Sequence, residues 1–159
     1  MRPATSEGAL RIQAILGDRF RVLEFEESTH SSAEAAAAVG CDIAQIAKSM
    51  LFKAADGRPV LVVTSGANRV DEKKVAALIG CKITRADADF VAASGFVPGG
   101  VAPVGHTVAP MVMLDQHLRD RATIWAAAGS PNAVFELTPD DLCAITGARY
   151  TDIAKEAKS

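Results

Sequence analysis

The sequence predicts an α+β fold: one domain over residues 1–159, with a mixed, barrel-like β-sheet surrounded by helices. Three observations lead there. Segments with strand and helix periods are interspersed without a regular strand-helix-strand rhythm, and hairpin signals outnumber crossovers. Apolar residues make up 49% and charged ones 23%, a globular balance rather than a disordered or fibrous one. No internal repeat, low-complexity tract or linker marks a boundary, and 159 residues bury enough surface to fold without a disulfide or metal staple.

The elements follow in order. Ser6 to Leu16 places apolar residues at Ala9, Leu10, Ile12, Ile15 and Leu16, a helical spacing that Gly17 stops. Phe20 to Phe25 is rich in strand formers. Ser31 followed by Glu34 ahead of an alanine run reads as a capping box for a helix ending near Gly40. Met50 to Phe52 and Pro59 to Thr64 are apolar runs joined across Asp56-Gly57, a hairpin signal. Asp71 to Gly80 has acids first and a glycine last, matching a helix and its macrodipole. A short strand at Lys82 to Thr84 and a short helix from Ala86 to Ser94 lead to a loop at Gly95. Strands are expected at Pro110 to Leu114, Ala122 to Ala127 and Val134 to Leu137, with a turn over Gly129 to Asn132. Thr138 as N-cap and Pro139 at the first helical position open the last helix.

Three cysteines, Cys41, Cys81 and Cys143, form no CxxC pair, so neither a disulfide framework nor a zinc site is indicated. They read as core residues, and a reducing cytoplasm is the simplest setting. No signal-peptide h-region and no long apolar run is present, so no membrane partner is expected. His30, His106 and His117 make no HxH or HExxH arrangement, Ser65 and Ser94 have no nucleophile elbow around them, and no metal or other cofactor is expected.

Two features remain. Gly95 to His106 holds four glycines and two prolines in twelve residues. Such a loop is stiff and lets backbone N–H groups approach an oxyanion or phosphate; equally, it serves as a tight crossover between strands. Its spacing is neither a Walker loop nor a dinucleotide fingerprint. Lys48, where a helical turn hands over to an apolar strand, either snorkels to solvent or points into a cleft. A rigid donor loop and a lysine without a protein nucleophile suit chemistry in which water or the substrate supplies the attacking group.

Ala47-Lys48-Ser49-Met50-Leu51-Phe52 with Lys48 eight residues after Gly40, the helix Val70 to Gly80, the loop Gly95 to Gly105 and the ending Phe135 to Leu142 together resemble the YbaK/ProX family. These are aminoacyl-tRNA deacylases, also found as the editing domain of many bacterial prolyl-tRNA synthetases. The resemblance runs from about Gly17 to Ala154. It implies hydrolysis, in trans, of the ester joining a small wrong amino acid (Ala, Cys, Ser or Thr) to the acceptor end of tRNA, with tRNA(Pro) the expected carrier and prolyl-tRNA synthetase a partner to consider. Such correction is needed because one methylene in a synthetase pocket is worth only about 1–3 kcal/mol.

The resemblance places the family's essential lysine on Lys48 and its oxyanion-binding glycines on Gly99 and Gly100. It places substrate-binding positions on Phe25, Ser31, His106, Ala127, Ala128 and Gly129. His106 stands open between orienting substrate and packing the loop, and Ser31 between lining the pocket mouth and capping its helix. The alternative reading is a non-catalytic module that binds a tRNA acceptor end or a synthetase; a small-ester hydrolase ranks last for want of a nucleophile motif. Net charge −2 excludes extensive phosphate coating. It allows a grip on a few terminal nucleotides by Lys48 and a patch drawn from Arg2, Arg11, Arg19, Arg21, Lys53 and Lys73.

Overall fold

A computed structural model describes residues 1–156. Nine strands form one mixed sheet: β1 (Arg2–Pro3), β2 (Val22–Glu24), β3 (Ile46–Ala54), β4 (Pro59–Ser65), β5 (Ile83–Arg85), β6 (Met111–Asp115), β7 (Ile124–Ala127), β8 (Ala133–Leu137) and β9 (Arg149–Thr151). Their order is β1-β2-β8-β7-β3-β4-β6-β9, with β5 added to β3. The expected α+β class and mixed sheet are present; among the described residues the sheet does not close into the expected barrel-like form, since β1 and β9 end the path. Five helices accompany it among the described residues: α1 (Glu7–Leu16), α2 (Ser32–Val39), α3 (Glu72–Ile79), α4 (Ala88–Ala93) and α5 (Pro139–Thr146).

The hairpin across Asp56-Gly57 sets the centre. β3 pairs antiparallel with β4 from Ala47↔Ser65 to Lys53↔Pro59, and Gly57 takes the left-handed conformation (φ +91°) that the turn requires. Val60, Leu61, Val62 and Val63 are fully buried because β4 is covered on both faces. One face packs Leu61 and Val63 with Ile12, Phe20, Leu114 and Phe135; the other packs Val60 and Val62 with Phe52, Val75 and Ile153 under α3. Ala35, Ala36 and Ile46 form a small third cluster, with Trp125 packed against it, where α2 meets the sheet. β4 pairs parallel with β6, which the passage through α3, β5 and α4 permits.

Helix starts match the sequence signals. Ser6, Ser31, Asp71, Asp87 and Thr138 each accept a backbone N–H of the first turn. The α1 entry has a further anchor, Glu24 of β2, buried at 1% exposure. Its carboxylate accepts Thr5 N–H (2.7 Å), Ser6 N–H (2.9 Å) and the Thr5 hydroxyl (2.8 Å). Burial alone raises this carboxyl, but the hydrogen bonds from Ser6 and Thr5 outweigh it and hold the pKa at about 2, below the ordinary 4.5.

A depressed folded pKa stabilises the fold in full above the unfolded value and progressively less as pH falls toward the folded one. Glu24→Gln is therefore expected to lose about 2–3 kcal/mol of stability at pH 7, with the difference from wild type shrinking between about pH 5 and pH 2. Urea unfolding at several pH values checks this; a pH-independent difference contradicts it.

Candidate functional site

The site lies where β3 lacks a partner on one edge. β7 pairs parallel with Ile46 and Ala47, and β5 pairs with Phe52 to Ala54, so between them residues 48–51 face a break in the sheet. A cavity of about 420 Å³ fills this break, within the roughly 300–1,000 Å³ of small-molecule sites. Because side chains alternate along a strand, Lys48 and Met50 line it from the α2 face while Ser49 and Leu51 line it from the other. The start of α2 with His30 and Ser31, the Pro98-Gly99 turn, and the small residues Ala126, Ala127 and Ala133 complete the wall.

Backbone direction also alternates. Gly66 N–H donates to the Ile46 carbonyl on the β4 side (2.8 Å), and Ala86 N–H donates to the Leu51 carbonyl on the opposite side (3.1 Å). The intervening alternation aims the Ser49 N–H and carbonyl into the break. The Ser49 hydroxyl is buried there with no hydrogen-bond partner.

Lys48 is the third residue of β3, three residues past the end of the 3-10 turn Ile43–Gln45, so the strand begins earlier than the sequence indicated. Its cross-strand partner Thr64 donates to Asp115 (3.1 Å), a fully buried carboxylate that also accepts Ser65 N–H (3.0 Å) and the Asn68 amide (2.8 Å). This hub fixes the strand opposite Lys48, and no local motif marks Asp115 for it. Cations in the cavity lining are Lys48 and the unforeseen Arg85; among the described residues no Asp or Glu lines it. An ammonium and a guanidinium on an apolar wall without a carboxylate suit an anionic or charge-developing ligand.

The glycine loop divides its roles. Val97-Pro98-Gly99-Gly100 is a type II turn: Pro98 precedes Gly99 at φ +83°, and Gly100 N–H donates to the Val97 carbonyl at 2.9 Å. Gly99 lines the cavity. Gly100 does not offer its N–H to a ligand, a correction to its expected role, because the turn takes that hydrogen. It is glycine for contact: an added Cβ would stand 2.9 Å from Ser130 Cα and 3.0 Å from Ser130 N. Gly99→Ala meets only φ strain and is expected to lose about 1 kcal/mol, whereas Gly100→Ala must push the turn from Ser130 and lose about 2–3 kcal/mol. Denaturant midpoints of the two variants check the order.

Of the other expected substrate positions, Ser31 and Ala127 line the cavity, and Ser31 also caps α2 through Glu34 N–H (3.1 Å). Phe25, Ala128, Gly129 and His106 stand outside the lining. Phe25 is buried and its backbone bonds Asn132 twice (2.8 and 2.9 Å), holding the Gly129 to Asn132 turn. Ala128 is core, and Gly129 abuts Gly8 of α1. His106 packs on Phe96 with centroids 4.7 Å apart and donates from Nε2 to the Ala102 carbonyl (2.8 Å). Burial pushes its pKa down, with the Ala102 hydrogen bond opposing, and its ring packs within the loop.

Part of the expected cationic patch is engaged elsewhere. Arg11 donates to the Gly105 and Gly95 carbonyls (2.8 and 2.9 Å), Arg19 pairs with Asp141 (2.6 Å) and Arg2 with Glu24 (3.4 Å). The cysteines are free and half-buried, each packed against one of the apolar clusters; burial pushes the Cys41 thiol up, away from the reactive thiolate.

The model of the aminoacyl-tRNA editing domain matches residues 26–145, which include the whole break and both its flanks. The chain belongs to the aminoacyl-tRNA editing domain family. Within it, the chain is 33% identical to the uncharacterized protein YwhH of Bacillus subtilis, over 85% of this chain and 87% of that one. It is 27% identical to EbsC of Enterococcus faecalis, named a candidate Cys-tRNA(Pro)/Cys-tRNA(Cys) deacylase, over 78% of this chain and 77% of that one. A crystal structure described as that of a candidate trans-editing enzyme for prolyl-tRNA synthetase superposes with a TM-score of 0.90 at 38% identity, covering 96% of this chain and 100% of the other. These matches agree with the YbaK/ProX resemblance and with the fold it implies. No helix among the described residues is long and apolar enough to cross a membrane.

Proposed function

We propose that this editing-family protein hydrolyses, in trans, the ester of a small wrong amino acid (Ala, Cys, Ser or Thr) on tRNA(Pro). The observation that carries the reading is that Lys48 and Gly99 line one cavity, with Ala126, Ala127 and Ala133 forming part of its wall. The likeness to EbsC and to the candidate trans-editing enzyme for prolyl-tRNA synthetase supports tRNA(Pro) as carrier. Ala126, Ala127 and Ala133 leave space for a short side chain, and a few added atoms there would exclude larger ones.

In the proposed reaction a water oxygen attacks the ester carbonyl carbon. The carbonyl oxygen gains charge and is met by the Gly99 N–H and the Ser49 N–H, the donors left once Gly100 is committed to its turn. The bond from the carbonyl carbon to the ribose oxygen then breaks, that oxygen takes a proton, and the free amino acid leaves. Lys48 supplies a positive charge toward the developing anion or the acceptor-end phosphate. No side chain acts as nucleophile.

The substrate test is a single-turnover panel of alanyl-, cysteinyl-, seryl- and threonyl-tRNA(Pro) against correctly charged prolyl-tRNA(Pro). At least one small misacylated tRNA is expected to lose its ester well above background while prolyl-tRNA(Pro) is spared; equal rates on all five contradict the reading. Few phosphate contacts also predict a shallow salt dependence of tRNA affinity, a logarithmic slope of about −1 to −2. A titration slope several times steeper contradicts that grip. Affinity this weak makes recruitment by prolyl-tRNA synthetase a reasonable part of the proposal.

A further inference from the structure

The hydrolytic cavity shares a wall with a second one. Arg85 and Ala86 line both, and on the far side Lys53, Thr84, Asp87, Asp89 and Phe90 help to enclose about 480 Å³. The two differ in chemistry. The first is mainly apolar, with Lys48 and Trp125 in its wall, whereas the second adds two carboxylates, Asp87 and Asp89, beside Lys53 and the Phe90 ring. Phe90 is half-buried and packed against the main core, which fixes its ring; the Lys53 ammonium, on an exposed side chain, stands over the ring 5.7 Å from its centroid, a cation–π contact that an arriving base would replace. Asp87 is held in place as the cap of α4, accepting Phe90 N–H at 2.8 Å.

A fixed aromatic face binds a nucleobase by stacking, and a carboxylate accepts a hydrogen bond from the exocyclic amine of cytosine while repelling a phosphate. A phosphate is instead suited by the guanidinium on the shared wall, since Arg binds phosphate oxygens in a bidentate manner. Successive nucleosides of a strand are joined by one phosphodiester, which is the arrangement of base site, cation and base site that Arg85 and its two flanking cavities present. We propose that the second cavity receives the cytidine preceding the terminal adenosine of the acceptor end, stacked on Phe90, with Arg85 holding the phosphodiester between them. This rests on the proposed hydrolysis of the acceptor-end ester in the first cavity, with the terminal adenosine entering beside that ester.

The test compares aminoacyl esters of adenosine and of the dinucleotide cytidylyl-adenosine, carrying the amino acid the wild type removes fastest. Wild-type kcat/KM is expected to be about tenfold or more higher on the dinucleotide. Phe90→Leu, which keeps an apolar side chain against the core, should lose most of that gain and leave the adenosine ester within about twofold of wild type. Arg85→Gln should also lose the gain and lower the salt slope on the dinucleotide by about 0.7. Equal wild-type rates on the two esters, or a Phe90→Leu variant that keeps the gain or slows both esters alike, overturn the second site alone. Hydrolysis of neither ester by the wild type, with tRNA esters also spared, overturns the reading of the first cavity and this one with it.

Discussion

Lys48→Ala is expected to lower single-turnover deacylation by about 10²–10³ while leaving the thermal midpoint within about 2 °C of wild type. Lys48 is exposed at the rim of the cavity, and among the described residues it forms no ion pair, so its removal strands no buried charge. The loss falls on the reaction because the ammonium borders the cavity in which negative charge develops on the ester, and attraction to that charge is stronger in the transition state than in the ground state. Lys48→Met separates charge from packing: it retains an unbranched apolar stem and should be as slow as alanine. A methionine variant near wild-type rate would assign the side chain a packing role.

Gly129→Ala carries the largest expected effect on stability, about 3–5 kcal/mol, or roughly 10 °C in the thermal midpoint. Gly129 has φ +92°, and a Cβ there would overlap the Gly8 carbonyl oxygen and stand 2.8 Å from Ile12 Cγ1. Gly8 presents the mirror problem, since its own Cβ would overlap the Gly129 carbonyl oxygen. The obstacles are backbone of the first turn of α1 and a fully buried isoleucine, neither of which gives way cheaply. Gly57→Ala is the control: its φ is +91° but nothing lies within 4 Å, so only about 1 kcal/mol is expected. Urea unfolding of the two variants decides this, and equal losses contradict the steric account.

Much of the fold was legible because its signals are local. Ser6, Ser31, Asp71 and Thr138 cap helices where the sequence placed them, Asp56-Gly57 turns the central hairpin, and Val60 to Val63 is the doubly covered strand. What was missed depends on partners far along the chain. β1 is a strand only through Arg2↔Glu24, and β9 only through Met113↔Arg149. The open ladder has the same origin, since closure is decided by which distant edges meet.

The candidate site divides similarly. Lys48 and the glycine loop stood out by composition, but the break that makes a cavity beside Lys48 comes from where β7 and β5 end along β3, a register no local pattern encodes. Arg85 went unmarked in a short polar strand for that reason. Gly100 was a different case: Val97-Pro98-Gly99-Gly100 carries the type II turn signature, and reading it would have shown the Gly100 N–H already committed. His106 looked functional because it closes the loop, whereas its ring packs on Phe96 outside the lining.

The most direct measurement is release of labelled amino acid from a mischarged tRNA(Pro) under single turnover at saturating protein, with binding recorded in the same samples. The proposed chemistry predicts ester loss at least about 100-fold faster than in buffer alone, abolished in Lys48→Ala while that variant stays folded. Bound aminoacyl-tRNA whose ester survives at the uncatalysed rate would contradict it and identify the cavity as a binding site without catalysis.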